Sequence, residues 1–404
     1  MNISMKRAAI AQLCSTASKS SNLQNIAKCA NMARMQGASM LFLPECFGFM
    51  GSSAKETLHN AESINITTVT TRTLNNNNNE HDHDHSESNW LSDLEKIVET
   101  GECMYTKQEM IGADLESQSD SNSDSVSIVK GLCTIAAKSG LWISGGGIHE
   151  KGAPPCTGDE SKCPRVYNTH IIIDSDGNVV TKYRKVHLFD VSIPSQGVNL
   201  RESATTAPGS KLVVCDSPIG KLGLSTCYDV RFPEMYTKLV EEGGADILLV
   251  PSAFTVPTGK AHWHTLLKGT NLINAHVLLL DMYKYLYVAL FLFFSDAFKS
   301  FAILFGNLAR AIENQCYVLA AAQYGKHNEK RQSYGHSMAI NPWGEVVEDA
   351  GGCDGPGTTS NSDSDDGTVF TPSIVICDID VEKLKSIRER IPIRKHRADC
   401  TFSW

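Results

Sequence analysis

The segment Gly220-Lys221-Leu222-Gly223-Leu224-Ser225-Thr226-Cys227-Tyr228-Asp229-Val230-Arg231-Phe232-Pro233-Glu234 decides how the chain is read. Residues 220–226 have the character of a strand and Pro233 opens a helix, so Cys227 stands where a strand turns into a helix. Open α/β sheets gather ligands and catalytic groups beyond the carboxyl ends of their strands. Two further segments repeat the pattern. Leu41-Phe42-Leu43-Pro44-Glu45 sets a carboxylate just past an apolar strand, and Tyr183-Arg184-Lys185-Val186-His187 sets an ammonium at the end of a hairpin strand. Taken singly, each has an ordinary explanation: a loop carboxylate, a surface cation, a buried thiol.

Working outward, strand signals fall at 7–13, 40–43, 142–145, 170–174, 179–184, 211–215, 220–226, 247–251, 317–323, 336–340 and 374–378. Helical spacing covers 20–36, 128–139, 233–242 and 381–390. Asp174-Ser175-Asp176-Gly177 and Pro218-Ile219-Gly220 mark hairpin turns. Helices separated by hairpins and single strands predict an α/β layered sandwich, with sheets covered by helices on their outer faces.

Three stretches break this rhythm. Residues 67–125 are polar and repetitive, with Asn75–Asn79, the tract His81-Asp82-His83-Asp84-His85 and a Ser/Asp-rich run, and they read as a disordered insertion. Helical spacing at 90–98 allows a turn or two within it. The histidine tract has no other ligands at fixed spacing. Residues 351–367 are Gly/Ser/Asp-rich and read as a long hairpin loop before a strand near 371–380. Residues 269–308 are apolar and aromatic, but Asp281, Lys284, Asp296 and Lys299 interrupt them, so a membrane span of ~20 apolar residues is disfavoured. Joining Trp263–Lys268 directly to Ala309–Glu313 gives one amphipathic helix, which marks the intervening stretch as foreign to the fold. What remains is a single domain over 5–400.

The chain has 404 residues, 42% hydrophobic and 20% charged, with a net charge of −8. That supports a sizeable core and argues against nucleic-acid binding, which needs a basic face. No signal peptide is expected at the N-terminus. Thirteen scattered cysteines without a CxxC pair fit reduced intracellular thiols, hence a cytoplasmic protein with a mitochondrial pool left open. Cys156 and Cys163, bracketing a Pro/Gly-rich loop, remain a candidate bridge.

Glu45, Lys185 and Cys227 together resemble the Glu-Lys-Cys site of the nitrilase (carbon–nitrogen hydrolase) superfamily. The words that match are Leu43-Pro44-Glu45, Tyr183-Arg184-Lys185-Val186-His187-Leu188 and Cys227-Tyr228-Asp229-Val230-Arg231-Phe232-Pro233-Glu234. Pro251-Ser252-Ala253-Phe254, Gly259-Lys260-Ala261-His262-Trp263, Ala320-Ala321-Ala322-Gln323 and Glu329-Lys330-Arg331-Gln332-Ser333-Tyr334-Gly335-His336-Ser337 resemble the deaminated glutathione amidase branch. The resemblance implies a four-layer α-β-β-α sandwich, homo-oligomers (commonly dimers) and amide hydrolysis without metal or cofactor. It also implies a small-molecule amide substrate, here deaminated glutathione, cleaved to 2-oxoglutarate and cysteinylglycine.

The residue types suit that chemistry. A thiol of ordinary pKa ~8.5 is mostly protonated at neutral pH and needs a base, which Glu45 supplies. Lys185 and the backbone N–H of Tyr228 would stabilise the tetrahedral oxyanion. Glu202 matches a second family glutamate that orients Lys185 and the amide. Arg231 is either a fork donor to a substrate carboxylate or a structural partner of Glu234 or Asp229. Phe254 and Thr258 either line the pocket or, for Phe254, pack the core. His187, His262 and His264 show no carboxylate partner or third ligand at recognisable spacing and read as structural. The same triad also serves ω-amidases, nitrilases and carbamoylases. A non-catalytic or membrane-associated homologue, disabled by residues 269–308, is the alternative of another class.

Overall fold

The computed structural model describes residues 6–67, 126–155, 164–193, 198–268, 310–353 and 371–399. The insertion at 67–125, with its histidine tract and its helical spacing at 90–98, falls outside these residues apart from Thr67. So do the Cys156–Cys163 bridge and the 269–308 stretch.

The first strand shows how the layers form. In β1 (Lys6–Leu13), Ala8 and Ile10 face one way while Ala9, Ala11 and Leu13 face the other, and all five are buried. A period of two buried on both faces means a sheet covered on both sides. β2 (Met40–Leu43) splits likewise: Leu41 and Leu43 join the outer cluster, Met40 and Phe42 the inner one. The outer cluster packs under α1 (Lys19–Met35) and α3 (Ile128–Ser139). Between them in sequence, α2 (Ala54–His59) is a short helix at the cavity mouth. The inner cluster faces a second sheet, whose far side carries α4 (Pro233–Glu241) and α5 (Val256–Lys268). The order is α-β-β-α.

The first sheet continues with β3 (Trp142–Glu150), β4 (Tyr167–Ile173) and β5 (Val179–Arg184) on one side of β2. A short hairpin, β6 (Asp190–Ile193) and β7 (Val198–Arg201), stands apart. The second sheet takes β8 (Val214–Ser217), β9 (Gly220–Leu224), β10 (Ile247–Leu249) and β11 (Tyr317–Ala320). β12 (Ala322–Asn328) and β13 (Arg331–Tyr334) return to the first sheet, while β14 (Met338–Ile340) and β15 (Val346–Asp349) complete the second. β16 (Ser373–Ile379) runs antiparallel to β1, followed by α7 (Val381–Arg390) and α8 (Ile393–Asp399). α6 (Arg310–Asn314) precedes β11.

Several expectations need correction. The single strand at 317–323 is two strands in different sheets: the chain changes sheet at Ala321, whose carbonyl accepts from Ser252 N–H at 2.8 Å. Unbroken apolarity could not reveal this, because both strands are buried. The segment before 351–367 does not hairpin onto the next strand. β15 pairs with β14, whereas β16 crosses to β1. The strand expected at 211–215 starts three residues later, as β8, and ends at Ser217, where the tight turn pairs it with Gly220 (φ 138°). Both flanks of the interrupted helix are helical, as α5 and α6. Among the described residues no helix is long and apolar enough to cross a membrane.

Candidate active site

Four strand ends deliver the candidate residues to one cavity of about 570 Å³, which Glu45, Lys185, Glu202 and Cys227 all line. Glu45 follows β2 through Pro44, and the next residue, Cys46, turns the chain with a positive φ of 58° and donates its N–H to the Gly147 carbonyl (3.0 Å). β3 is irregular there, between Gly145 and Ile148. A Cβ on Gly147 would lie 2.8 Å from Asn168 Oδ1 and 3.2 Å from Glu45 Cγ, so the close approach requires glycine.

Lys185 owes its position to strand parity. Along β5, Tyr183 points into the inter-sheet core, and two residues on, Lys185 points the same way. Its backbone N–H donates to the Asn168 carbonyl (2.8 Å). Its ammonium, only 2% exposed, donates to Glu45 Oε1 (3.0 Å) and to Glu202 Oε1 (3.1 Å) and Oε2 (3.0 Å). Glu202 opens a 3₁₀ turn after β7 and is pinned by the Phe189 N–H (2.7 Å).

Cys227 sits in left-handed backbone, φ 50°, between β9 and the 3₁₀ segment Cys227–Arg231. A non-glycine residue there costs on the order of 1–3 kcal/mol, which the surrounding bonds must offset. Those bonds are present. Cys227 N–H donates to the Pro251 carbonyl (2.9 Å). The Asp229 carboxylate, fully buried, accepts from Thr226 N–H (2.9 Å), Tyr183 hydroxyl (2.7 Å), His187 N–H (3.0 Å) and His187 Nδ1 (2.8 Å). This hub ties the Cys227 turn to the segment that follows β5 and carries Lys185.

The charges follow from burial and neighbours. Burial pushes the Cys227 thiol well above its usual range and the Glu45 charge pushes it further, while Lys185 pulls the other way. Burial opposes the charge on Glu45, but Lys185 and hydrogen bonds from Cys227 and Lys185 outweigh it and hold that carboxyl below its usual range. Burial likewise opposes the Lys185 ammonium, and Glu202 and Glu45 overcome it, raising that group well above the lysine norm. Cys227 therefore rests as a thiol beside the charged pair of Glu45 and Lys185. The thiol and the charged Glu45 carboxylate line the same cavity.

Tyr228 follows Cys227 and its ring lies edge-on to Phe189 (5.1 Å) and Phe232 (5.6 Å). Arg231 pairs with neither Glu234 nor Asp229, and both Asp229 oxygens are already taken. It donates to His262 Nδ1 (3.1 Å) and lies over the Tyr228 and Phe254 rings at 5.7 and 5.9 Å, facing the cavity. Phe254 does both things expected of it, lining the cavity and packing on Trp263 at 4.8 Å. Thr258 also lines the cavity and bonds Thr255 Oγ1 (2.8 Å). His187 and His264 do have carboxylate partners, Asp229 and Asp349, brought together by folding from positions 42 and 85 residues away in sequence.

Sequence reasoning missed Asn168, which is 5% exposed and donates to Glu45 Oε1 (2.9 Å). An amide inside the apolar strand Tyr167–Ile173 was the available signal, since buried polar groups need partners. It also missed His149, a cavity-lining imidazole whose pKa burial lowers to about 4, and Arg331, a cavity-lining cation on β13.

A family model described as carbon–nitrogen hydrolase matches residues 7–83, 93–276 and 306–389. Among curated relatives, the deaminated glutathione amidase of Dictyostelium discoideum is 42% identical over 270 residues, covering 67% of this chain and 71% of its own. The Homo sapiens protein of the same name is 33% identical over 390 residues, 96% of this chain and 81% of its own. The crystal structure of the Caenorhabditis elegans NitFhit protein superposes with a TM-score of 0.61 at 30% identity. That match spans 98% of this chain and 66% of the other.

Proposed function

The chain belongs to the carbon–nitrogen hydrolase family and acts on non-peptide carbon–nitrogen bonds, and from that premise we propose that it hydrolyses deaminated glutathione through a Cys227 thioester. The observation that carries this is the convergence of four groups on one cavity, with Lys185 in hydrogen-bond contact with Glu45 and Glu202 and Cys227 lining the same cavity.

Glu45 takes the Sγ proton as the sulfur attacks the amide carbon. The carbonyl oxygen becomes an oxyanion facing the Lys185 ammonium and the Tyr228 N–H, and losing one such donor typically costs about 10²–10³ in rate. Collapse breaks the carbon–nitrogen bond, and Glu45 returns its proton to the departing amine. A water molecule then loses a proton to Glu45 and attacks the thioester. The second collapse releases the acid and restores the thiol. Lys185 stays an ammonium throughout, because two carboxylates hold it so. Asn168 and Glu202 position Glu45 and Lys185.

The cavity also carries Arg201, Arg231, Lys330 and Arg331, which suits a substrate bearing a carboxylate on each side of the scissile amide. The products are a 2-oxo acid and cysteinylglycine. A homo-oligomer in a reducing, cytoplasmic setting belongs to the same proposal; no disulfide joins the nine cysteines among the described residues. The test is a substrate panel on the purified full chain: deaminated glutathione, a free ω-amide of the same 2-oxo acid, an aliphatic nitrile and an N-carbamoyl amino acid. The expected result is a kcat/KM for deaminated glutathione at least about 10² above the others, the scale of two missed charged contacts. Faster turnover of the free ω-amide would move the assignment to an ω-amidase.

A further inference from the structure

Away from the cavity, folding brings together His264 on α5, His336 just before β14 and Asp349 at the end of β15. His336 Nδ1 lies 3.0 Å from both carboxylate oxygens of Asp349, and His264 Nε2 lies 3.3 Å from Oδ2. The three ligand atoms all lie within 4.8 Å of one another, the one such His/Cys/Asp/Glu group among the described residues. Two imidazoles and a carboxylate are the donor set that zinc-class ions take, at ~2.0–2.1 Å from each donor. The edge of a tetrahedron with bonds of that length is about 3.3 Å, close to the two histidine–aspartate separations, while the two imidazole nitrogens lie within 4.8 Å of each other.

The supporting shell is built for fixed donors. Gly351 N–H donates to Asp349 Oδ1 (2.9 Å), and Trp263 Nε1 donates to the His336 carbonyl (2.9 Å). His336 has a positive φ of 61°, and a Cβ on Gly352 would come within 2.3 Å of its ring, so backbone packs against the imidazole. Oriented ligands of this kind are what a metal site needs beyond its donors. The His264 side chain is 35% exposed and Asp349 27%, against 5% for His336, so the group opens to solvent on one side. A fourth ligand, water, can enter there.

We propose that His264, His336 and Asp349 bind one divalent transition-metal ion of the zinc class, fastening α5 to the β14–β15 hairpin. α5 carries the cavity-lining Thr258 at one end and leads into residues 269–309 at the other, so the ion would brace one wall of the site without touching the reaction.

The experiment uses the full chain with Cys227→Ser and with His81, His83 and His85 changed to Gln, so that neither the nucleophile nor the histidine tract supplies ligands. Co²⁺ is titrated while the visible d–d bands are recorded, Zn²⁺ then competes, and melting is followed with and without Zn²⁺. One equivalent is expected at a Kd below about 10 µM, with tetrahedral Co²⁺ bands that Zn²⁺ bleaches and a Tm that rises with Zn²⁺. His264→Ala and Asp349→Asn should each weaken binding at least about tenfold, and His264→Cys should restore it. No saturable binding, or binding as tight in His264→Ala as in its parent, would overturn the proposal; His264 is partly exposed, so that variant is expected to fold.

Discussion

Two charge clusters built on the same strands differ in one respect, and that respect separates chemistry from scaffolding. On the outer face of the first sheet, Glu150 is gripped by Lys182 (2.6 Å), by Arg184 through two bonds (2.8 and 2.9 Å) and by Thr169 (2.7 Å). One residue further along β5, on the opposite face, Lys185 is gripped by Glu45 and Glu202. The outer cluster is one carboxylate between two cations, with Arg184 38% exposed. The inner cluster is one buried cation between two carboxylates, and the surplus negative charge lies against Cys227 Sγ. A surplus cation fixes strands. A surplus carboxylate beside a thiol supplies a base.

The sharpest way to break this contrast is to neutralise the central group of each cluster's cationic side. Lys185→Met should lower kcat/KM by about 10³ or more, because the oxyanion loses its cation. It should also lower stability in denaturant unfolding by about 1–3 kcal/mol, since buried Glu45 loses its counter-charge beside a second carboxylate and keeps only neutral donors such as Asn168. Lys182→Met should leave turnover unchanged and cost about 1–3 kcal/mol, since buried Glu150 keeps Arg184 and Thr169 while the Ile64 carbonyl loses its donor. Should the two variants lose activity equally, the contrast is false.

Next in size is the carboxylate pair. Glu45→Gln should reduce kcat by about 10²–10⁴ with folding intact. Glu150→Gln should spare kcat and lower stability by about 1–3 kcal/mol. Steady-state kinetics beside urea unfolding distinguishes them.

The pH profile comes third. Glu45 acts as a base only when charged, and its carboxyl is held below the usual range, so the acid limb lies below about pH 4.3. Lys185 is held above the usual range, so its charge persists beyond about pH 10.4. kcat/KM should therefore be flat from about pH 5 to about pH 9. Stability follows the same signs: the Glu45 contribution is present above about pH 4.3 and fades as pH falls through its lowered value. That of Lys185 is present below about pH 10.4 and fades as pH rises through its raised one. In Lys185→Met the acid limb of the residual rate should move toward neutrality, because burial then acts on Glu45 without its main counterweight. An unmoved limb would remove Lys185 from the control of Glu45.

The smallest effect belongs to Asn168→Ala, which removes one hydrogen bond to the charged Glu45. About a tenfold loss in kcat with little change in KM is expected. A loss confined to KM would make Asn168 a substrate contact instead.

How much of this the sequence announces depends on distance along the chain. Glu45, Lys185 and Cys227 are legible because each ends a strand, and strand ends converge in a layered α/β fold. The layers themselves are legible in β1, where apolar residues fill both faces. The crossover at Ala321 is hidden because burial on both sides erases the alternation that would separate two strands. Asn168, Asp229 and Arg331 take their meaning from partners in space. Asp229 is an ordinary acid in sequence, yet it holds two segments that lie 42 residues apart. His264 is the extreme case: it looks structural until Asp349, 85 residues on, is folded against it.

The most direct measurement is intact-mass spectrometry of the wild-type chain quenched in acid during turnover of deaminated glutathione, with peptide mapping of the adduct. A mass gain matching the 2-oxoglutaryl group, located on Cys227 and absent from an inactive Cys227→Ala chain, is expected. Turnover by Cys227→Ala at a rate within about tenfold of wild type would contradict a sulfur nucleophile outright.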